Sequence, residues 1–172
     1  MTGPIAHTLD SDTLTPSPAA RASAVQVARG IGRLFARNNI WCLSEVSLKN
    51  GRRADLMGID AKGLITIVEI KVARGDLLGD TKWPDYLDFC DRFYWAVPPE
   101  VDRAPLDTQA YQPEETGVIV ADEYDAEIVR QASLTRLAPA RRKAQVEHLA
   151  RLAMRRHTAL VDPHCANVDT LG

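Results

Sequence analysis

Asp55, Glu69 and Lys71 are charged residues set in two otherwise apolar stretches, Arg53 to Ile59 and Leu64 to Val72. The second stretch is rich enough in β-branched residues to read as a buried central strand, where a carboxylate and an amine two residues apart need a reason beyond solubility. One reason is a structural charge cluster, with Lys71 and Arg53 lying between the two carboxylates. The other is a divalent cation on hard oxygen ligands, since Mg²⁺ favours one or two carboxylates together with water and a substrate phosphate. A lysine beside such a cation can orient or deprotonate an attacking water, or offset charge building on the phosphate.

Whether these groups meet depends on two turns. If Asp60-Ala61-Lys62-Gly63 holds a three-residue loop with Gly63 in the left-handed bulge position, Asp60 pairs with Leu64 and Asp55 stands opposite Glu69. Strand alternation then brings Lys71 to the same face, across from Arg53. A two-residue turn would instead put Val68 opposite Asp55 and separate the carboxylates. Glu45 depends in the same way on Lys49-Asn50-Gly51-Arg52. A three-residue loop opposes it to Asp55, and a two-residue Asn50-Gly51 turn directs it away.

The elements around this hairpin follow from periodicity and breakers. Residues 1–16 read as a disordered tail, residues 17–160 as a single domain and residues 161–172 as a frayed end. Ser17-Pro18 resembles a helix start, and Val27, Ile31, Leu34 and Phe35 give a helix to about Arg37, with Arg29, Arg33 and Arg37 along one ridge. Strands are expected over 40–48, 53–59 and 64–72 as an antiparallel meander. Asp76 to Asp80 reads as a short helical turn, and a helix over 84–90 leads to a strand over 92–97 that runs parallel to its predecessor. Residues 98–116 read as a surface loop, followed by short strands over 117–121 and 126–131. A last helix opens at Pro139, with Val146, Leu149, Ala150 and Ala153 as its buried stripe. Its outer ridge is Lys143, Glu147, Arg151 and Arg155, a salt-bridged solvated face or a DNA-backbone contact surface.

A chain of 172 residues with 45% hydrophobic and 26% charged residues fits one globular domain. Its net charge of −2 argues against coating nucleic acid by bulk electrostatics. Residues 139–172 nevertheless carry 6 basic and 3 acidic groups, so contact with phosphates can be local. Cys42, Cys90 and Cys165 form no CxxC pair and suggest neither a disulfide framework nor a zinc site. No apolar run is long enough for a membrane helix and no secretion signal is visible, so the expectation is a cytoplasmic protein without a membrane partner.

An acid on one strand followed by Glu-x-Lys on the next, after a helix and before a helix and a fourth strand, resembles the PD-(D/E)xK nuclease superfamily. Ala54-Asp55 stands where that superfamily has Pro-Asp, and Glu69-Ile70-Lys71 is the E-x-K element. The stretch VEIKVARGDLLGDTKWPDYLDFCDRFYWAVP, residues 68–98, is similar to the MmcB-type DNA-repair endonucleases of alphaproteobacteria, over about residues 20–135. The resemblance implies an α/β fold with a restriction-endonuclease-like αβββαβ core, a mixed sheet flanked by helices, and here an additional C-terminal helix. It implies Mg²⁺- or Mn²⁺-dependent cleavage of DNA phosphodiesters. Asp55 and Glu69 would be metal ligands with the Ile70 carbonyl as a third, and Lys71 would be the catalytic lysine. Glu45 aligns with an acid of the first strand, whereas many superfamily members carry it on the first helix, which here has no Asp or Glu. Arg53, Lys82, Trp83 and Tyr86 would face the DNA, with Trp83 shaping the floor, or else cap and pack; Asp76 and Asp80 belong to the same stretch. DNA is the implied partner, with repair proteins and a homodimer compatible with it. The competing expectation is a nuclease-fold protein that binds DNA or a repair partner without cutting.

Overall fold

The computed structural model describes residues 23–167. The chain begins with helix α1 (Ala24–Arg37) and continues through strands β1 (Ile40–Ser47), β2 (Arg53–Asp60) and β3 (Ile65–Ile70), then helix α2 (Arg74–Gly79) and strand β4 (Arg92–Val97). This is the restriction-endonuclease-like αβββαβ order. Strands β5 (Gly117–Ala121) and β6 (Ala126–Arg130) and helix α3 (Pro139–Val161) complete it. The six strands lie in sequence order in one mixed sheet. The first three are antiparallel, β3, β4 and β5 run parallel, and β6 returns antiparallel.

The sequence explains which side each helix covers. Val27, Ile31 and Phe35 recur at helical spacing and pack on Leu56, Val68, Ile70, Tyr94 and Ala96, one face of the sheet. The alternate residues Met57, Ile65, Ile67, Phe93, Trp95 and Val97 face the other way. There they meet Leu77 of α2, Leu149 of α3 and an aromatic group of Trp83, Tyr86 and Tyr111. Each such large apolar side chain contributes about 1.5–3 kcal/mol when fully buried.

Several expectations change. The Ser17-Pro18 start lies outside the described residues; α1 begins after Ser23, which forms a capping box with Gln26. The helix expected over 84–90 is a 3-10 helix, Trp83–Phe89. Three residues per turn put Trp83 and Tyr86 on the same side, which lets both enter the core. Residues 98–116 are not merely surface loop: two 3-10 turns bury Leu106 and Tyr111. In α3 the stripe is different, because Gln145 and Leu149 are buried while Ala150 and Ala153 are exposed. Val146, Leu149 and Leu152 pack on the core, while His148 and Arg156 reach the backbone of the outer strand β1. Finally, α3 continues to Val161 and a 3-10 turn spans Pro163–Asn167; the rest of the expected C-terminal tail lies outside the described residues.

The arginine ridge of α1 is used structurally. Arg33 donates to the carbonyls of Glu123 and Tyr124, and Arg37 is ion-paired with Asp125, so the ridge clasps the β5–β6 turn.

Candidate active site

Two similar turns set the geometry. At the β2–β3 turn, Gly63 has φ +76, its N–H donates to the Asp60 carbonyl at 3.0 Å, and the Asp60 N–H donates to Leu64 at 3.1 Å. This is the three-residue loop, and the ladder Leu56–Val68, Met57–Ile67, Ile59–Ile65 follows from it. One step further along this register stand Asp55 and Glu69, just beyond the last pair, Leu56–Val68. Regular pairing ends there, and the Ile70 N–H donates to Asp55 Oδ2 at 2.7 Å. At the β1–β2 turn Gly51 has φ +81 and the Leu48 N–H donates to Arg52 at 2.7 Å, so the register again follows the three-residue form. Val46 pairs with Ala54 and Ser44 with Leu56, leaving Glu45 opposite Asp55.

Glu45 itself is unusual. It has φ +53, a left-handed conformation that costs a residue with a Cβ and is commonest where function demands it. On either side of it the strands exchange faces. Cys42 and Leu56 pack towards α1, whereas Val46 and Ala54 pack on the opposite face. Arg156 of α3 secures the distortion by donating to the Ser44 and Glu45 carbonyls at 2.6 and 3.0 Å, and His148 lies 2.9 Å from the Ser47 carbonyl. The exposed Glu45 carboxylate pairs with Arg53 at 2.6 Å.

Glu69 is buried. Its Oε1 lies 3.1 Å from Lys71 Nζ, and its Oε2 is enclosed with no hydrogen-bond partner. Burial first, and then the neighbouring charge of Asp55, push the Glu69 pKa up to about 7 against the pull of Lys71. Asp55 is also raised by burial, which outweighs the Ile70 N–H and Lys71. Lys71 Nζ makes a second ion pair with Asp80 Oδ2 at 2.7 Å and sits 5.9 Å from the centre of the Trp95 ring. Burial lowers its pKa, but Asp80 and Glu69 more than offset this and hold the amine above its ordinary value. Tyr86 donates to the Arg53 carbonyl at 3.1 Å, and burial together with the charges of Glu69, Asp55 and Asp80 raises its pKa.

The structure therefore brings Asp55, Glu69, Lys71 and Tyr86 together at the end of β3. Arg53 borders them and is ion-paired with Glu45. Lys82 is exposed, on a cleft of about 490 Å³ shared with Arg52, Lys71, Asp80 and Tyr86. Trp83 is 3% exposed and packs on Phe93 and Trp95, so it lies beneath the site and not on its surface. On the α1 side a second hollow of about 340 Å³ is bordered by Arg29, Ser44, Glu45, Asp55, Leu56 and Ile70. Among the described residues no group of three or more His, Cys, Asp or Glu is arranged to hold a metal ion. Arg156 and His148 were not legible as site-supporting residues, because their partners are backbone carbonyls of a distant strand. Asp80 was visible as an acid near the E-x-K element, but not as a partner of Lys71.

The family model for the DNA repair protein MmcB-like family matches residues 13–164. The chain belongs to this family. Among solved structures, this MmcB-like chain is similar to a protein of unknown function from Silicibacter pomeroyi, 40% identical with a TM-score of 0.75, the match covering 87% of this chain and 97% of that one. No functionally curated protein matches the chain. Among the described residues, no helix of this MmcB-like fold is long and apolar enough to cross a membrane.

Proposed function

We propose that the chain is a divalent-cation-dependent nuclease that hydrolyses DNA phosphodiesters during repair. The observation that carries this is the Asp55 carboxylate hydrogen-bonded to the β3 backbone at Ile70, next to Glu69, with Lys71 on Glu69 Oε1 and the other, buried Glu69 oxygen lacking any partner. A half-buried Asp55 and a buried Glu69, both with raised pKa values, are only partly compensated by Lys71. Hard oxygen donors of this kind suit Mg²⁺ or Mn²⁺, which retain several waters and need few protein ligands. Asp55 and Glu69 would hold the ion, with the Ile70 carbonyl as a third donor; Glu45 would join only on leaving Arg53. Bound there, the ion supplies Lewis-acid polarisation of the phosphate and a more acidic water.

The chain's own groups do the rest. Lys71, held as an ammonium, places positive charge next to the carboxylates, where a phosphate oxygen gains charge in the transition state. Lys82 and Arg53 at the rim meet backbone phosphates, and Tyr86 lines the same cleft as Lys82 with its hydroxyl on the Arg53 carbonyl. Trp83 keeps the floor rigid.

The test is incubation of the protein with duplex, single-stranded and branched DNA in Mg²⁺ or Mn²⁺, alongside Glu69→Ala and Lys71→Ala. Cleavage is expected to fall by roughly 10²-fold or more in both variants. Undiminished cleavage by Lys71→Ala would sink the assignment.

One observation favours a second reading, a nuclease-fold protein that binds DNA without cutting it. Lys71, though it borders the cleft, is tied to two carboxylates. That reading expects salt-sensitive DNA binding and no metal-dependent turnover.

A further inference from the structure

Lys71 is held from three sides, and one side comes from a segment that the nuclease reading does not otherwise use. Helix α2 is anchored by Leu77, fully buried, whose carbonyl accepts both the Asp80 N–H at 3.3 Å and the Tyr111 hydroxyl at 2.9 Å. Tyr111 in turn meets Trp95 edge-on, with centroids 5.5 Å apart. Asp80 closes the helix and is itself oriented: its Oδ1 accepts the Lys82 N–H at 3.1 Å, which leaves Oδ2 directed at Lys71 Nζ, 2.7 Å away. The second contact of the ammonium is Glu69 Oε1 at 3.1 Å, and the third is the Trp95 ring. Both partners of the new pair are largely enclosed, with side chains 12% and 15% exposed.

A lysine left to itself samples many rotamers, and a misplaced catalytic group by about 1 Å can cost 10²-fold in rate. Glu69 alone fixes one direction. We propose that Asp80 is a positioning residue for the cleavage reaction: from the end of α2 it fixes the Lys71 ammonium beside Glu69. The role rests on the nuclease reading, and it extends the functional unit beyond the E-x-K element to the α2 segment and, through Leu77 and Tyr111, to the 98–116 segment.

The experiment uses the full chain with Asp80→Asn, Asp80→Glu and Lys71→Arg. On the DNA substrate that wild type cleaves best, Asp80→Asn is expected to lower kcat by about 10- to 100-fold with KM changed less than about twofold, and Asp80→Glu to recover part of the loss. A merely structural Asp80 would lower the melting temperature and leave kcat and KM alone, which overturns the proposal. Independently of activity, ¹⁵N spectra of the lysine ammonium groups are expected to show a slowly exchanging Lys71 signal, identified by its loss in Lys71→Arg. It should vanish in Asp80→Asn and return in Asp80→Glu. An unchanged signal in Asp80→Asn also overturns the proposal. If wild type cuts no DNA but the signal behaves as described, the nuclease reading falls while the fixation of Lys71 by Asp80 stands.

Discussion

Two buried carboxylates bracket β3, and their surroundings are opposite. Asp91, before β4, accepts the Ile65 and Leu137 N–H groups at 2.8 Å each and pairs with Arg142. Burial would raise its pKa, but Arg142 and the two backbone donors more than offset that and hold it below the usual 3.8. Glu69, at the other end of the strand, has one lysine on one oxygen and nothing on the other, and its pKa rises to about 7. Asp91 ties β3 to the start of α3; Glu69 is an incomplete arrangement. A buried charge with every lone pair satisfied is a fastener, and one left short of donors is a candidate for binding a cation.

The contrast should be plainest in stability. Asp91→Ala strips two backbone donors and a guanidinium of their partner and is expected to destabilise the fold by about 3 kcal/mol, read by chemical denaturation. Glu69→Gln should leave stability unchanged or raise it, since it removes a charge repelled by Asp55. A Glu69→Gln loss as large as that of Asp91→Ala would make both residues fasteners.

Cation binding gives the next effect. At about 100 times its dissociation constant, Mn²⁺ should stabilise the folded protein by about 2.7 kcal/mol. In melting experiments the shift should persist in Asp91→Asn and disappear in Glu69→Gln.

The smallest effect is in pH dependence, and the signs oppose. For Asp91 the folded pKa is the lower one, so its contribution is present above 3.8 and is lost as pH falls through the folded value. For Glu69 in chelator-treated protein the folded pKa of about 7 exceeds the ordinary 4.5, so the unfolded chain gives up the proton first and stability declines as pH rises across that interval. Melting temperatures should show Asp91→Asn flattening the acid limb and Glu69→Gln flattening part of the neutral one.

Much of this was legible in the sequence for local reasons. Gly63 and Gly51 mark turns whose length fixes register, so the opposition of Asp55 to Glu69 could be posed before any coordinates, though not chosen. The strands were legible because alternation and β-branching are local signals. What escaped is long-range. Asp91 looks like any acid before a strand until Leu137 and Arg142 arrive. His148 and Arg156 of α3 reach backbone carbonyls of the outer strand β1, which no apolar pattern reveals. Leu106 and Tyr111 lie in a proline-rich stretch whose burial only the packed aromatic group explains.

The grip of α3 on β1 has one more consequence. β1 is an outer strand, and outer strands expose hydrogen-bonding groups on which a strand from another molecule can assemble. Arg156 and His148 engage the carbonyls of Ser44, Glu45 and Ser47, and the left-handed Glu45 interrupts the strand between them. The same distortion that sets an acid beside Asp55 thus also blunts this edge of the sheet against pairing with a strand of another molecule, so one helix holds both the site geometry and the edge.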